Sequence, residues 1–430
     1  MKINGLRWWV VGLVALAAVI NYIDRQAFGA LWPDIAKELF PDMDADGTKA
    51  IYGSISSIFI LAYAAGQTIF GKIFDWVGTR IGFALSIGIW SLATMVHAFA
   101  KGFLSFSIFR TILGIAEAGN WPGAAKANAE WFPTKERAFA QGIFNSGAAV
   151  GGIVAYPIIG LLAIYLSWQA IFVCVGLVGL LWLLPWFFIV KSSPEKHPWL
   201  TEEEKSYILT GQKNSDDTVS VENEYNPSTG ELLKRKESWG VIIASAAIDP
   251  IWWLFIVWIP IYLNEVFGLD VKEIAFSAWV PYVGAMIGAW VGGLLAQNRL
   301  SAGWSVDKTR KLVITLGCFI MIPCFVLLKS PGTAVNAVII MAVLLFGFQV
   351  AIGNVQTLPS DMFSGKVIGT LSGFAGTAAK LGAFGLTMLI PLLTKGGNYT
   401  PAFLIGGALA ITALLAVWVL IPKVKPLSAK

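Results

Sequence analysis

The chain has 430 residues, 56% hydrophobic and 13% charged, with a formal net charge of +5 and a mean hydropathy of +0.69. A soluble domain carries about twice that charged fraction, so a single water-soluble core is excluded. Cys174, Cys318 and Cys324 all lie inside apolar runs and read as small apolar residues, while His97 and His197 are too far apart to suggest a metal or cofactor site.

The first apolar run follows Lys2 and Arg7, lacks a small-residue cleavage site and continues into Asn21-Tyr22-Ile23-Asp24-Arg25, so it reads as a retained span. Runs near the roughly 20 residues that cross hydrocarbon then recur along the chain. The predicted spans are 8–31, 50–71, 81–100, 103–127, 138–162 and 168–190, then 239–265, 275–297, 311–329, 334–357, 367–393 and 400–421. Residues 191–238 form the one long polar segment. The expected architecture is an all-α membrane protein of twelve transmembrane helices. It comprises a six-helix bundle at 1–190, a linker at 191–238 and a second six-helix bundle at 239–430.

Positive charge sets the orientation. With the N-terminus in the cytoplasm, only Lys37, Lys49, Lys101, Lys272, Lys329 and Lys395 fall in periplasmic loops, out of 31 Lys and Arg residues. The first periplasmic loop is instead acidic, with Asp34, Glu38, Asp42, Asp44 and Asp46. Both termini and the linker are therefore expected in the cytoplasm. The net charge follows from this asymmetry, and no nucleic-acid partner is expected.

A shift of 231 residues aligns Phe132 with Phe363, Lys135 with Lys366, Gly142 with Gly373, Gly151 with Gly382, Phe172 with Phe403 and Gly176 with Gly407. The common offset argues for a duplicated six-helix unit, a design that transporters use.

After the second span the chain reads Gly71-Lys72-Ile73-Phe74-Asp75-Trp76-Val77-Gly78-Thr79-Arg80. Gly71 allows close helix approach and Gly78 a tight turn. Asp75 and Arg80 are either an ordinary charged turn or a gating latch. The equivalent stretch in the second half, Gly292 to Arg299, is degenerate.

Charges inside the spans are costly unless they face a partner or water, which makes each one a candidate site residue. In the first half these are Asp24, Arg25, Arg110 and Glu117. Arg110 and Glu117, seven residues apart, share one helix face about 10 Å apart along the axis. Asp24 and Arg25 point about 100° apart, and Asn21 lies on the side of both. The two carboxyls are either held in permanent interhelical salt bridges with arginine or act as protonatable sites. Lys126 is placed to snorkel. In the second half, Asp249 precedes Pro250, where it is suited to cap a broken helix, and Lys380 is suited to meet a negative substrate group. Trp252, Trp253, Trp258, Trp279 and Tyr282 are either sugar-facing platforms or packing residues.

The loop around Asp75 resembles the signature loop of the major facilitator superfamily. Asn21–Arg25, RTILGIAEAGNWP from Arg110 to Pro122, EWFPTKERAFAQGIFNSG from Glu130 to Gly147, Ser167-Trp168-Gln169, Leu200-Thr201-Glu202-Glu203-Glu204 and Trp258-Ile259-Pro260 resemble its anion:cation symporter family. Gly5-Leu6-Arg7-Trp8 and LDVKEIAFSAW from Leu269 to Trp279 are similar to bacterial hexuronate transporters. The resemblance implies proton-coupled import of a galacturonate, glucuronate or related sugar acid by alternating access, across the bacterial inner membrane. It implies proton coupling at Asp24 and Glu117, with substrate binding and gating at Arg25 and Arg110. Tyr22, Gln67 and Asn145 match cavity-lining positions of relatives. Lys380 departs from neutral residues in relatives and is expected to favour an acid with an additional or differently placed anionic group. The expected partners are a small anionic sugar acid and membrane lipid, the coupling ion is a proton, and a monomer is expected. Other readings are transport of a hexonate or sialic acid, uniport or antiport, a non-transporting sensor and a membrane-embedded transferase. The short loops give that enzyme little room.

Overall fold

The computed structural model describes residues 2–213, 228–363 and 366–425. The helices are α1 (Leu6–Leu39), α2 (Ala45–Val96), α3 (Phe103–Glu117), α4 (Asn120–Trp131), α5 (Thr134–Ala163), α6 (Trp168–Ile189), α7 (Glu202–Lys213) and α8 (Thr229–Lys234). They continue with α9 (Lys236–Phe267), α10 (Val271–Ser277), α11 (Val280–Ser301), α12 (Val306–Leu327), α13 (Ala334–Met362), α14 (Lys366–Leu393) and α15 (Thr400–Leu415). Among the described residues, eleven helical stretches are long and apolar enough to cross a membrane. The remaining predicted span is present as α3 and α4. Arg110, Glu117, Lys126 and Glu130 make it too polar to join that set.

Helix α2 is two spans joined at Gly78, where φ is 75° and ψ is 174°. That backbone is open essentially to glycine alone, which explains the glycine there. Pro122 causes a milder break. It has no N–H to offer Ala118, and the ladder tightens just before it, with Gly119 N–H bonding Ala116 at 3.2 Å. Helices α3 and α4 meet there, directly after Glu117. Pro250 and Pro260, by contrast, lie inside a continuous α9, so Asp249 does not cap a broken helix.

The chain forms two compact units, Met1–Pro41 with Ile58–Ser220, and Asp42–Ser57 with Val221–Lys430. In the first, α1 packs on α5 and α6; in the second, α9 packs on α14 and α15, and α13 on α11 and α12. Residues 42–57 are seated in the second unit by Lys49, which is 1% exposed. Its Nζ reaches Glu265 Oε2 at 2.9 Å and the Thr394 carbonyl at 2.6 Å. The sequence alone had placed this lysine in a loop.

The 231-residue shift has structural counterparts inside each unit. Phe132 and Phe363 both end a helix in extended backbone, after α4 and α13 respectively. Thr79 donates to Glu130 at 2.5 Å, and the residues that the shift maps onto them, Arg310 and Asp361, bond at 2.8 Å. A side chain on Gly151 would strike α1 at the Val19 carbonyl, and one on Gly382 would strike α9 at the Ala246 carbonyl.

Small residues set helix distances in lipid, where no hydrophobic effect drives helices together. On α11, Gly284, Gly288 and Gly292 lie at four-residue intervals against Ala342, Phe346 and Val350 of α13. Gly292 therefore sits within the helix, and the turn after α11 falls at Gly303, whose φ is 84°. A Cβ on Gly288 would stand 2.3 Å from the Phe346 carbonyl oxygen. Gly288→Val is expected to destabilise the protein by about 3 kcal/mol through overpacking. Gly293→Ala, which meets nothing within 4 Å, is the control. Melting in detergent micelles measures both, and equal melting points would contradict the close packing.

The segment after α6 closes over the start of α1. Glu204 Oε2 accepts from Gly5 N at 2.8 Å and Leu6 N at 3.1 Å, and Oε1 from Arg7 Nη1 at 2.6 Å. Arg7 also reaches Glu136 at 3.1 Å, and Tyr207 donates to the same carboxylate. His197 Nε2 bonds the Ile189 carbonyl at 2.9 Å while Nδ1 accepts from Trp199 N. Both nitrogens are thus satisfied in the neutral ring, and burial pushes the imidazole pKa below 6.5. Protonation would turn Nδ1 into a second donor facing Trp199 N–H. This contribution to docking is therefore full above pH 6.5 and is lost as pH falls through the lowered value. Amide protection factors at residues 194–208, which correct for the slower intrinsic exchange in acid, are expected to fall below pH 6.5 in the native protein. His197→Gln is expected to flatten that dependence.

Candidate transport site

Helix α1 brings Asn21, Tyr22, Asp24 and Arg25 onto one buried turn. The sequence predicted that Asp24 and Arg25 could not both face one partner; Glu117 is hydrogen-bonded by Arg25 and is also among the charges around Asp24. Arg25 Nη2 donates to Glu117 Oε2 at 3.0 Å and to Asn21 Oδ1 at 3.2 Å. Its guanidinium lies 5.2 Å from the Tyr22 ring, 5.0 Å from Tyr63 and 5.7 Å from Phe59. Arg110, on the same face of α3 as Glu117, lies 4.1 Å from the Phe28 ring and 5.2 Å from Phe59. Aromatic faces stabilise a guanidinium while leaving its donor edge available.

Asp24 is different. At 1% exposure, both carboxyl oxygens lack a hydrogen bond among the described residues. Thr94 is its polar neighbour, and Glu117, Arg110 and Arg25 are the charges around it. Two guanidiniums and two carboxyls are therefore gathered on α1 and α3, and only Glu117 of the acids has a bonded counter-charge. Such a cluster can bind an anion, a proton, or both in competition.

Gln67 is half-buried on α2, and Asn145 is exposed on α5. The Asp75 side chain lies outside the described residues. Arg80 lays its guanidinium 5.1 Å over the Phe187 ring. Lys126 is half-buried one turn before Glu130. In the second unit, Lys380 Nζ bonds Asp249 Oδ2 at 2.7 Å and lies 5.4 Å over the Trp253 ring. Trp258 and Tyr282 are buried packing residues, and Trp252 stacks on Phe348 at 5.5 Å.

Sequence reasoning missed Phe28, Phe59, Tyr63 and Thr94. Phe59 and Tyr63 are four apart on one face of α2, a usable signal, but nothing local marks Thr94.

The profile of the Major Facilitator Superfamily matches residues 14–387. The hexuronate transporter of Escherichia coli K12 is 31% identical over 97% of this chain and 94% of its own length. The galacturonate transporter of Dickeya chrysanthemi is 33% identical over 77% of this chain and 92% of its own. In solved structures, the fold matches the inward-open xylose transporter XylE of E. coli at a TM-score of 0.72. That match has 15% identity and covers 97% of both chains. A bacterial homologue of the human lysosomal transporter Spinster matches at 0.71, with 18% identity, over 98% of this chain and 96% of the other. Fold and family together define a multi-pass transporter of the inner membrane, and not an enzyme. The chain belongs to the major facilitator superfamily.

Proposed function

We propose that the protein is a proton-coupled symporter that imports a hexuronate, galacturonate or glucuronate, by alternating access. The observation that carries this reading is the α1–α3 cluster, where neither Asp24 oxygen is hydrogen-bonded among the described residues and Arg25 is held by Glu117. The names of the similar transporters support the substrate class. Both termini and residues 191–238 face the cytoplasm in this reading, which rests on the Lys and Arg distribution.

A proton on Asp24 removes a buried carboxylate charge that has no hydrogen bond among the described residues. The substrate carboxylate then meets Arg110, or takes Arg25 when a second proton neutralises Glu117. Guanidinium suits this exchange because its two parallel N–H groups fit either carboxylate. Loss of the proton on the inner side restores the anion and repels the bound acid.

Uptake by proteoliposomes under an imposed pH gradient tests the reading. Each coupled proton should support about tenfold accumulation per pH unit. The panel holds galacturonate, glucuronate, galactonate, galactarate, sialic acid and a neutral hexose. Uptake indifferent to the gradient would rule out coupling, and a preference for the neutral hexose would rule out the acid.

A further inference from the structure

We propose that Asp249 and Lys380 form a charge-neutral pair that binds substrate hydroxyls and selects sugar acids with one carboxylate over those with two. This rests on the sugar-acid reading above. The pair sits near the middle of α9 and α14, with Nζ and Oδ2 2.7 Å apart and side-chain exposures of 16% and 17%. It is therefore half-buried and retains contact with its surroundings.

Helix packing gives no reason for it. The 231-residue shift carries Asp249 and Lys380 onto Ala18 and Ala149, and α1 packs on α5 much as α9 packs on α14. Where one unit uses two alanines, the other holds an ion pair at hydrocarbon depth, an expensive substitution that marks function by default.

Its chemistry suits hydroxyls. Among the described residues the ammonium spends one of its three donors on Asp249 and Asp249 Oδ1 keeps its lone pairs, so a diol finds a donor and an acceptor side by side. Trp253, one helical turn beyond Asp249, lies under Lys380. On α14, Gly376 and Gly373 lie four and seven residues before Lys380 on the same face. A Cβ at either would meet nothing within 4 Å, which leaves room beside the ammonium.

The same geometry disfavours a second carboxylate. A second carboxylate at the remaining donors of Lys380 would stand beside the Asp249 carboxylate, and two like charges sharing one ammonium at hydrocarbon depth repel each other. The lysine by itself suggested an acid with an additional or differently placed anionic group; its bond to Asp249 argues against the additional one.

Binding of galacturonate, galactonate and galactarate to the purified full-length protein, followed by thermal shift and counterflow, tests the proposal. Wild type should prefer the two monocarboxylates. Asp249→Asn should raise galactarate affinity relative to galacturonate at least tenfold, because Lys380 then lacks its counter-charge. Asp249→Ala/Lys380→Ala, which copies the alanine pair of the first unit, should fold, bind galacturonate at least tenfold more weakly and gain no preference for galactarate. An unchanged ratio in Asp249→Asn, or wild-type galacturonate binding in the double variant, overturns the proposal and leaves the sugar-acid reading intact. Wild-type binding of none of these acids would overturn both.

Discussion

Asp24→Asn is expected to abolish accumulation driven by a pH gradient while leaving a folded protein that still exchanges substrate. Asp24 is buried on α1 with neither oxygen hydrogen-bonded among the described residues. An unpaired charge at the centre of a span costs about 3 kcal/mol on insertion scales, and asparagine copies the neutral acid without that charge. The variant should therefore melt at or slightly above the wild-type temperature. Counterflow, which needs no net proton movement, should persist. Steady-state accumulation should fall from about tenfold per coupled proton per pH unit to none. Gradient-driven accumulation equal to wild type would move the coupling site away from Asp24.

Arg25→Met is expected to cost about 3–5 kcal/mol, because it leaves the Glu117 carboxylate buried without its partner. Glu117 is 0% exposed, and its second oxygen already lacks a hydrogen bond among the described residues. Arg25→Met/Glu117→Gln removes both charges and should recover most of the lost stability, since neutral replacements of a buried pair are often tolerated. Transport should stay absent in the double variant. Recovered stability without recovered transport separates a working ion pair from a purely structural bridge, whereas transport at the wild-type rate would make the bridge structural. Stability is read by thermal melting in detergent as a double-mutant cycle, and transport in proteoliposomes.

The two acids and two arginines of the first unit were visible as charges in apolar runs, and their division of labour was not. The 100° step between Asp24 and Arg25 follows from helix geometry. That Arg25 bonds Glu117, 92 residues away, depends on how α1 meets α3. Asp249 shows the same limit, since the proline beside it suggested a cap while its partner lies 131 residues away on α14. Lys49 goes further, from an expected loop lysine to a buried one that holds residues 42–57 in the second unit.

The sequence by itself determined the helical membrane architecture, the break at Gly78 and which charges lie inside apolar spans, and its 231-residue offset argued for a duplicated unit. These follow from hydropathy over about 20 residues, from helical periodicity and from backbone steric limits, all of which are local. Only the tertiary structure decided which carboxyl is paired, which aromatic rings enclose the guanidiniums, and that Lys380 is already neutralised. Pairing of charges depends on distances set by helix packing, and no local pattern encodes those distances.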